Sequence, residues 1–599
     1  MFYSEQKKQY NILSRRSFFL YLFKIILFGS VGWRLYDIQI VNSKKYKTLS
    51  KNNQIDLEII YPLRGEILDR NKRILVSNKI VYDVYLIPEN TNSINETLNI
   101  LNNYFIINFA KRRKIIDLSN KLKKFEKIKI LENIDWNTLE KIEINKFKIP
   151  GIIIFKDYIR VYHYNDSFSH ILGYINKPNQ EELSLPYIAK MPKLDVGKQG
   201  LEHTFNKQLI GKSGQREIEV NSTGRVIREI SKIESKKGSD VIITIDSRLQ
   251  IYVANLLKSH KAGSVIVMDI TTGEILSMVS EPTYDPNKII KKPNKEYWIE
   301  LLNNKLSPLT NRGTQGLYSP GSTFKMIVAI AGLKYGVIDN NSKNFCNGKI
   351  EFGDRLYHCW KNNGHGSMNV SDAIKESCDV FFYEVSKKIG IDKIAKVAKE
   401  FGLGQIFDTN LENQNMGIIP SKKWKKNKIG ESWYAGETLI AGIGQGFVLT
   451  NPLQLAVMIS IIASDGKKII PTILKRDEYQ IFENDKYYKE IQIVKKAMYR
   501  VVNENKGTAF KSRLDKIAFS GKTGTSQVKR ISLEERESDD FRKKEEEWKN
   551  RDHALFVGYF PSDKPKYSIS VVIEHGGSGA STAAPIAKKI FNFIEGLNI

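Results

Sequence analysis

Ser319-Pro320-Gly321-Ser322-Thr323-Phe324-Lys325 is the stretch on which the reading of this 599-residue chain turns. Pro and Gly precede an apolar run with helical spacing, which places Ser322 in a first helical turn, and residues i and i+3 of a helix share a face. The Lys325 amine can therefore reach the Ser322 hydroxyl. A serine hydroxyl is a poor nucleophile until a base takes its proton, and a lysine serves as that base only where burial or nearby positive charge lowers its pKa. Ser-x-x-Lys by itself occurs by chance in many chains of this size, so its company decides its meaning.

Two further segments keep it company. Ser377-Cys378-Asp379 lies on a second helical stretch, and Lys522-Thr523-Gly524-Thr525 follows a strand that opens at Ile517. Lys522 offers positive charge to a carboxylate, Thr523 and Thr525 offer hydroxyls, and Gly524 permits a substrate backbone to approach a sheet edge. Strand patterns recur at 241–246, 264–269, 274–280, 517–527, 554–560 and 567–574, and helical patterns dominate 318–464. The pair 264–269 and 274–280, joined at Thr271-Thr272-Gly273, reads as a hairpin with alternating faces. Strands at both ends of a region with helices between predict an antiparallel sheet assembled from distant segments, with helices on its faces.

Outward from this unit, length and composition set the frame. A single core seldom exceeds roughly 250–300 residues, so the chain holds two or more folded units. With 41% hydrophobic and 11% aromatic residues it has material for buried cores, which excludes global disorder. The formal charge of +27 comes from 93 Lys+Arg against 66 Asp+Glu. The excess is mostly Lys spread over the whole length, with no Arg-rich stripe, so it reads as a solvated surface and no nucleic-acid partner is expected. Residues 17–36 are apolar but for Lys24 and Arg34 and follow Lys7, Lys8, Arg15 and Arg16. They predict a single transmembrane helix with residues 1–16 cytoplasmic and the rest across the membrane. The rival is a cleaved signal peptide ending near Ser30-Val31-Gly32.

Between anchor and C-terminal unit, residues 41–56 read as polar and helical. A turn at Tyr61-Pro62-Leu63 leads into short strands such as 80–87, and 93–149 reads as an inserted Lys-rich helical subdomain with loops near Asn108 and Trp136. Strands return at 152–155 and 158–162, a turn is expected at 221–224, and the Lys-rich stretch 232–239 reads as a linker. The charged run Glu535–Arg551 reads as a solvent-exposed helix or loop.

The three catalytic-looking segments resemble those of the penicillin-binding and serine β-lactamase superfamily. Nearly the whole chain resembles the class B penicillin-binding proteins, in their elongation-specific branch. Arg64-Gly65-Glu66-Ile67-Leu68-Asp69-Arg70-Asn71 and Gly197-Lys198-Gln199-Gly200-Leu201-Glu202 look like the pedestal motifs of that class. Pro282-Thr283-Tyr284-Asp285-Pro286-Asn287, Asn311-Arg312-Gly313, and Gly442-Ile443-Gly444-Gln445-Gly446 followed by Asn451-Pro452-Leu453-Gln454 look like its transpeptidase domain. Asp379 departs from the commoner pattern, where many members have Asn.

The resemblance implies a multidomain α/β and α+β architecture: a transmembrane helix (17–36), an elongated β-rich pedestal of the dimerisation type (37–235) and a transpeptidase domain (236–599). It implies that Ser322 attacks the D-Ala-D-Ala carbonyl of a peptidoglycan stem peptide and forms an acyl-enzyme. Lys325 is then the base, Ser377 the proton relay, and Lys522 and Thr523 bind the carboxylate region beside Asp379 and Gly524. The backbone N–H groups of Ser322 and Thr525 form the oxyanion hole. A second stem peptide's amine completes a cross-link, whereas water makes the enzyme a D-Ala-D-Ala carboxypeptidase. β-Lactams would acylate the same serine. The implied partners are a SEDS-type glycan polymerase and other membrane proteins of the elongation machinery, and the implied location is the bacterial inner membrane with the catalytic domain periplasmic. A membrane-anchored β-lactam sensor is the alternative, against which stands the short cytoplasmic segment. A β-lactamase is disfavoured by the long pedestal.

All three cysteines, Cys346, Cys359 and Cys378, fall in one short window. An odd number cannot be fully paired into intramolecular disulfides in an oxidising compartment. A metal accommodates all three: His365 supplies a fourth ligand, and Cys3His suits a structural, tetrahedral Zn²⁺ holding the segment around Ser377. The resemblance points the same way. The alternatives are His358 as the fourth ligand, one disulfide plus a free thiol, or three small buried hydrophobes. The acyl-transfer chemistry needs no cofactor.

Overall fold

A computed structural model describes residues 2–46, 55–221, 225–290, 294–479, 481–528 and 547–597. Half of the expected polar helix at 41–56, the tip of the turn at 221–224 and most of the charged run 535–551 lie outside these residues. The chain forms two compact units, Met1–Leu63 with Tyr82–Phe155 and Lys212–Lys237, and Arg64–Val81 with Lys156–Gly211 and Gly238–Ile599.

The first unit opens with the helix Phe2–Tyr36. Arg15–Val41, 27 residues, is long and apolar enough to cross a membrane, and none of its most apolar stretch, of mean hydropathy 1.5, is buried in protein. Farther along, Ile55–Ile60, Gly214–Val220 and Val226–Ile233 form an antiparallel sheet with Gly214–Val220 in the middle. The expected linker 232–239 is partly this last strand. Lys236 also exchanges both backbone hydrogen bonds with Lys212, because ladder pairing needs only main-chain groups and lysine side chains can point to water. The inserted subdomain holds helices Ile94–Asn102, Phe109–Lys121 and Trp136–Ile144, capped by Ser93, Asn108 and Asp135. Those caps are the breaks expected near Asn108 and Trp136. It is not purely helical, however: Ile128–Ile134 is a strand paired with Tyr82–Leu86, and its Ile128, Ile130 and Leu131 join Leu98, Leu101 and Ile142 in one core. Interleaved Lys and Glu hid its alternation.

In the second unit an all-antiparallel sheet runs in the order β2-β1-β5-β4-β3. Its strands are β1 (Gly263–Asp269), β2 (Ile275–Glu281), β3 (Ser520–Ser526), β4 (His553–Phe560) and β5 (Tyr567–Ile573). Every residue of β1, β2 and β5 is buried, so the hairpin does not alternate as expected. Helices cover both faces, which removes the solvated side that alternation requires. Those helices are α1 (Ser247–Leu257), α4 (Pro452–Ala463), α5 (Tyr488–Asn503) and α6 (Ala584–Leu597), while α2 (Lys325–Lys334) packs on α5 and on α3 (Asp379–Ile389). All of α4 is buried, as its unbroken apolar sequence requires, and it packs on β1, β4 and β5. The stretch 318–464 is also not helical throughout. Two small antiparallel pairs, Asn344–Cys346 with Gly366–Met368 and Lys349–Phe352 with Arg355–His358, interrupt it. Val241–Asp246 gives only the strand Val241–Ile242, parallel to Ile67–Leu68.

The two pedestal-like motifs meet in this unit. Glu202, wholly buried, accepts from Arg64 Nε at 2.6 Å and from Arg160 Nε at 2.8 Å. Arg160 Nη1 donates to Gly65 O at 2.7 Å. A Cβ on Gly65 would stand 2.1 Å from Ser239 O, so only glycine fits there. Asp69 Oδ2 accepts from Ser247 Oγ at 2.6 Å, at the first residue of α1.

Candidate active site and candidate metal cluster

The nucleophile candidate is held by a turn that other chain elements over-determine. Ser322 is the middle residue of a single 3-10 turn, Gly321–Thr323, that runs into α2. Gly321 N–H donates to Gly444 O at 2.9 Å, and Thr323 Oγ1 donates to Pro320 O at 2.7 Å. Gly321 has φ +53°, and a Cβ there would lie 2.5 Å from Thr525 O, so the turn presses directly against β3. Because β3 is the edge strand, its outer side is open to an extended peptide.

Lys325, Ser377, Asp379 and Lys522 converge beside this turn. Lys325 is wholly buried, and its Nζ donates to Asp379 Oδ1 at 2.7 Å, to Ser377 O at 2.9 Å and to Ser377 Oγ at 3.2 Å. Lys522 Nζ donates to Ser377 Oγ at 3.0 Å and to Thr523 O at 3.0 Å. One hydroxyl oxygen thus sits between two amines. Burial, and then the positive charge of Lys325, push the Lys522 amine well below its usual range, with Asp379 opposing the shift. Among the described residues the half-buried Ser322 hydroxyl has no hydrogen-bond partner, so the direct Ser322–Lys325 bond expected from their spacing is not made. Lys325 Nζ is directed instead to its three acceptors at Ser377 and Asp379. In unliganded sites such bonds commonly tighten only when substrate arrives.

Ser377 is not within a helix, as the sequence suggested. It occupies the tight connection between Val370–Lys375 and α3 with φ +59°, a conformation that a serine adopts only under constraint. Part of that constraint is Trp360, which sequence reading missed: its indole Nε1 donates to Ser377 O at 3.0 Å, and its backbone N–H donates to Asp379 Oδ2 at 2.9 Å. Gln445 was quoted only as part of a motif; its side chain donates to Thr525 O at 3.2 Å. Thr523 Oγ1 lies 2.6 Å from Thr508 Oγ1, another contact that no motif signalled.

Immediately behind Ser377, the ligand atoms of Cys346, Cys359, His365 and Cys378 all lie within 4.8 Å of one another. His358 is not in this group. All three cysteines are buried and none forms a disulfide. His365 presents Nδ1 to Cys346 Sγ at 3.6 Å and to Cys359 Sγ at 3.5 Å. Zn–S and Zn–N bonds of about 2.3 and 2.0–2.1 Å in a tetrahedron put neighbouring S and N atoms about 3.6 Å apart, so the donor set fits such an ion. Hydrogen bonds from Cys378 and His365 hold the Cys359 thiol low against the opposing effect of burial, and the same contact with Cys359 pushes Cys378 up. Cys359 Sγ also accepts from the Asp379 backbone N–H at 3.4 Å, which ties this cluster to the lysine-rich site.

Comparison with known proteins fits this geometry. Residues 263–592 match the family model for the penicillin-binding protein transpeptidase domain, and 59–243 match that for the penicillin-binding protein dimerisation domain. The chain belongs to the penicillin-binding proteins. It is 32% identical over 616 residues to peptidoglycan D,D-transpeptidase MrdA of Haemophilus influenzae, covering 99% of this chain and 93% of that protein. It is also 32% identical to MrdA of Escherichia coli K12, covering 98% and 94%. Among solved structures, penicillin-binding protein PBP2 of Helicobacter pylori, in complex with MreC, matches with TM-score 0.78 at 30% identity, covering 91% of this chain and 99% of that one. A chain from a structure described as "Structural coordination of polymerization and crosslinking by a peptidoglycan synthase complex" matches with TM-score 0.72 at 27% identity, covering 96% and 97%. The matched stretches cover 91–99% of this penicillin-binding protein.

Proposed function

We propose that this penicillin-binding protein is a membrane-anchored peptidoglycan D,D-transpeptidase of cell elongation, acting through a Ser322 acyl-enzyme. The observation that carries the mechanism is Ser377 Oγ, set between Lys325 Nζ and Lys522 Nζ beside the Ser322 turn. Lys325 takes the Ser322 proton as the hydroxyl oxygen bonds to the penultimate D-alanine carbonyl carbon. Ser377 passes a proton to the departing D-alanine nitrogen. The Lys522–Thr525 edge of β3 holds the terminal carboxylate, and the Ser322 and Thr525 N–H groups receive the oxyanion. Asp379 orients Lys325. An amine of a second stem peptide, or water, then attacks the ester, giving a cross-link or carboxypeptidase activity. β-Lactams acylate the same oxygen. Near full-length similarity to proteins named D,D-transpeptidases favours the enzyme over the sensor alternative.

The domain reading is an anchor at 17–36, a pedestal at 37–235 and a transpeptidase domain at 236–599. The basic residues before the anchor favour a cytoplasmic N-terminus and a periplasmic catalytic domain at the inner membrane. Zn²⁺ fits the Cys346, Cys359, His365 and Cys378 set, where it would hold the Ser377 connection in place and take no part in acyl transfer. The partners proposed are an MreC-like protein and a SEDS-type glycan polymerase, in line with the solved complexes of similar chains. D-alanine release from a stem pentapeptide, measured with and without an amine acceptor, tests the reading. Wild type should release D-alanine and form the cross-linked product, and S322A should do neither. Release undiminished in S322A would overturn it.

A further inference from the structure

Thr508 belongs to none of the three motif segments, yet it touches two of them. It follows α5 and Gly507 and precedes the short turn Phe510–Ser512. Its backbone N–H donates to Lys375 O at 3.3 Å, two residues before Ser377, and its Oγ1 lies 2.6 Å from Thr523 Oγ1 on β3. One residue therefore links the Ser377 connection to the carboxylate end of the site, by main chain on one side and side chain on the other.

Two hydroxyls at this distance share one of their two protons, and the other proton is free. Among the described residues the Thr508 hydroxyl has Thr523 Oγ1 as its hydrogen-bond partner. Thr523 lies on the edge strand, where an incoming anion supplies a second acceptor. The arrangement that satisfies all three groups has Thr508 donating to Thr523 and Thr523 donating outward. In a chain of hydrogen bonds each donor strengthens the next, and a bond to a carboxylate gains most.

We propose that Thr508 is a positioning residue for substrate capture: its hydroxyl fixes the Thr523 proton toward the terminal carboxylate of the acyl donor. This rests on the reading of Lys522–Thr525 as the carboxylate site. Thr508 selects for acyl donors that carry the carboxylate and has little effect on those that lack it.

The test uses the full chain in detergent and compares acylation by penicillin G with acylation by its methyl ester. Replacing Thr508 by the isosteric Val should slow acylation by penicillin G roughly 3–10-fold, as expected for one lost hydrogen bond. The loss should sit in the saturation constant, not in the limiting rate, and the ester should change less than about twofold. T508S should restore the wild-type value, and T508V should add nothing in a T523V background. T508A, held to the same outcomes, guards against poor folding of T508V. An unchanged rate with penicillin G, an equal loss with the ester, or no rescue by T508S would overturn the proposal. S322A separates the two readings: acylation surviving in S322A sinks the acyl-enzyme assignment, whereas acylation lost in S322A but unchanged in T508V sinks this inference alone.

Discussion

The Ser377 hydroxyl is the meeting point of the site, and its neighbours make its removal costly. With Ser377→Ala, Lys325 and Lys522 lose their shared acceptor and, in the proposed mechanism, the leaving nitrogen loses its proton source. Acylation by penicillin should fall by ~10² or more, the range for a lost acid–base group. Stopped-flow acylation measures this, and a loss under tenfold would remove Ser377 from the relay. Asp379 is a different case because it accepts from Lys325 through one oxygen and from Trp360 N–H through the other. An Asn there must turn its NH₂ toward one of these donors. D379N should therefore destabilise the fold by ~3–5 kcal/mol, the range for breaking a buried pair, read as a lower denaturant midpoint at unchanged slope. A midpoint equal to wild type would show that the Lys325–Asp379 pair contributes nothing.

Among elements, the small strands of 344–368 decide how rigidly the Ser377 connection is held, because they bring Cys346, Cys359 and His365 to Cys378. Removing a metal with a chelator, or replacing Cys378 by Ala, should lower the thermal midpoint and slow penicillin acylation together. Metal analysis should find about one zinc per chain before chelation. A zinc-free chain with full activity would leave the cluster as packed thiols. The sequence disclosed the elements that carry dense, ordered motifs: the Ser322 turn, β3 and the cysteine cluster were each identifiable from residue type and spacing. It concealed the strand Ile128–Ile134, whose apolar residues are interleaved with Lys and Glu, and the small pairs of 344–368, which are too short to show a period. It also concealed Trp360 and Thr508. Each acts through hydrogen bonds to residues distant in the sequence, and nothing in local pattern encodes such bonds. The Ser377 φ of +59° was hidden for the same reason, since tertiary contacts impose it.

At the scale of the whole molecule, buried charge and buried histidine set how stability responds to change. Glu202 stands between two guanidiniums with no solvent, and their charges hold its carboxyl low against the opposing effect of burial. E202Q should cost ~3–5 kcal/mol by leaving Arg64 and Arg160 under-compensated, and an unchanged denaturation midpoint would contradict this. His170 and His553 are both pushed down from 6.5 to about 4, mainly by burial. Between those values the unfolded chain binds protons that the folded chain does not, so stability falls as pH drops from about 6.5 to 4. Replacing either histidine by Gln should flatten the dependence of the thermal midpoint on pH in that window; an unaltered slope would mean the imidazoles titrate alike in both states. The most direct test of the account as a whole is peptide mapping of the full chain after incubation with penicillin G. A single penicilloyl adduct should appear, on Ser322 within the tryptic peptide Gly313–Lys325. An adduct on any other residue, or none at all, would contradict the assignment.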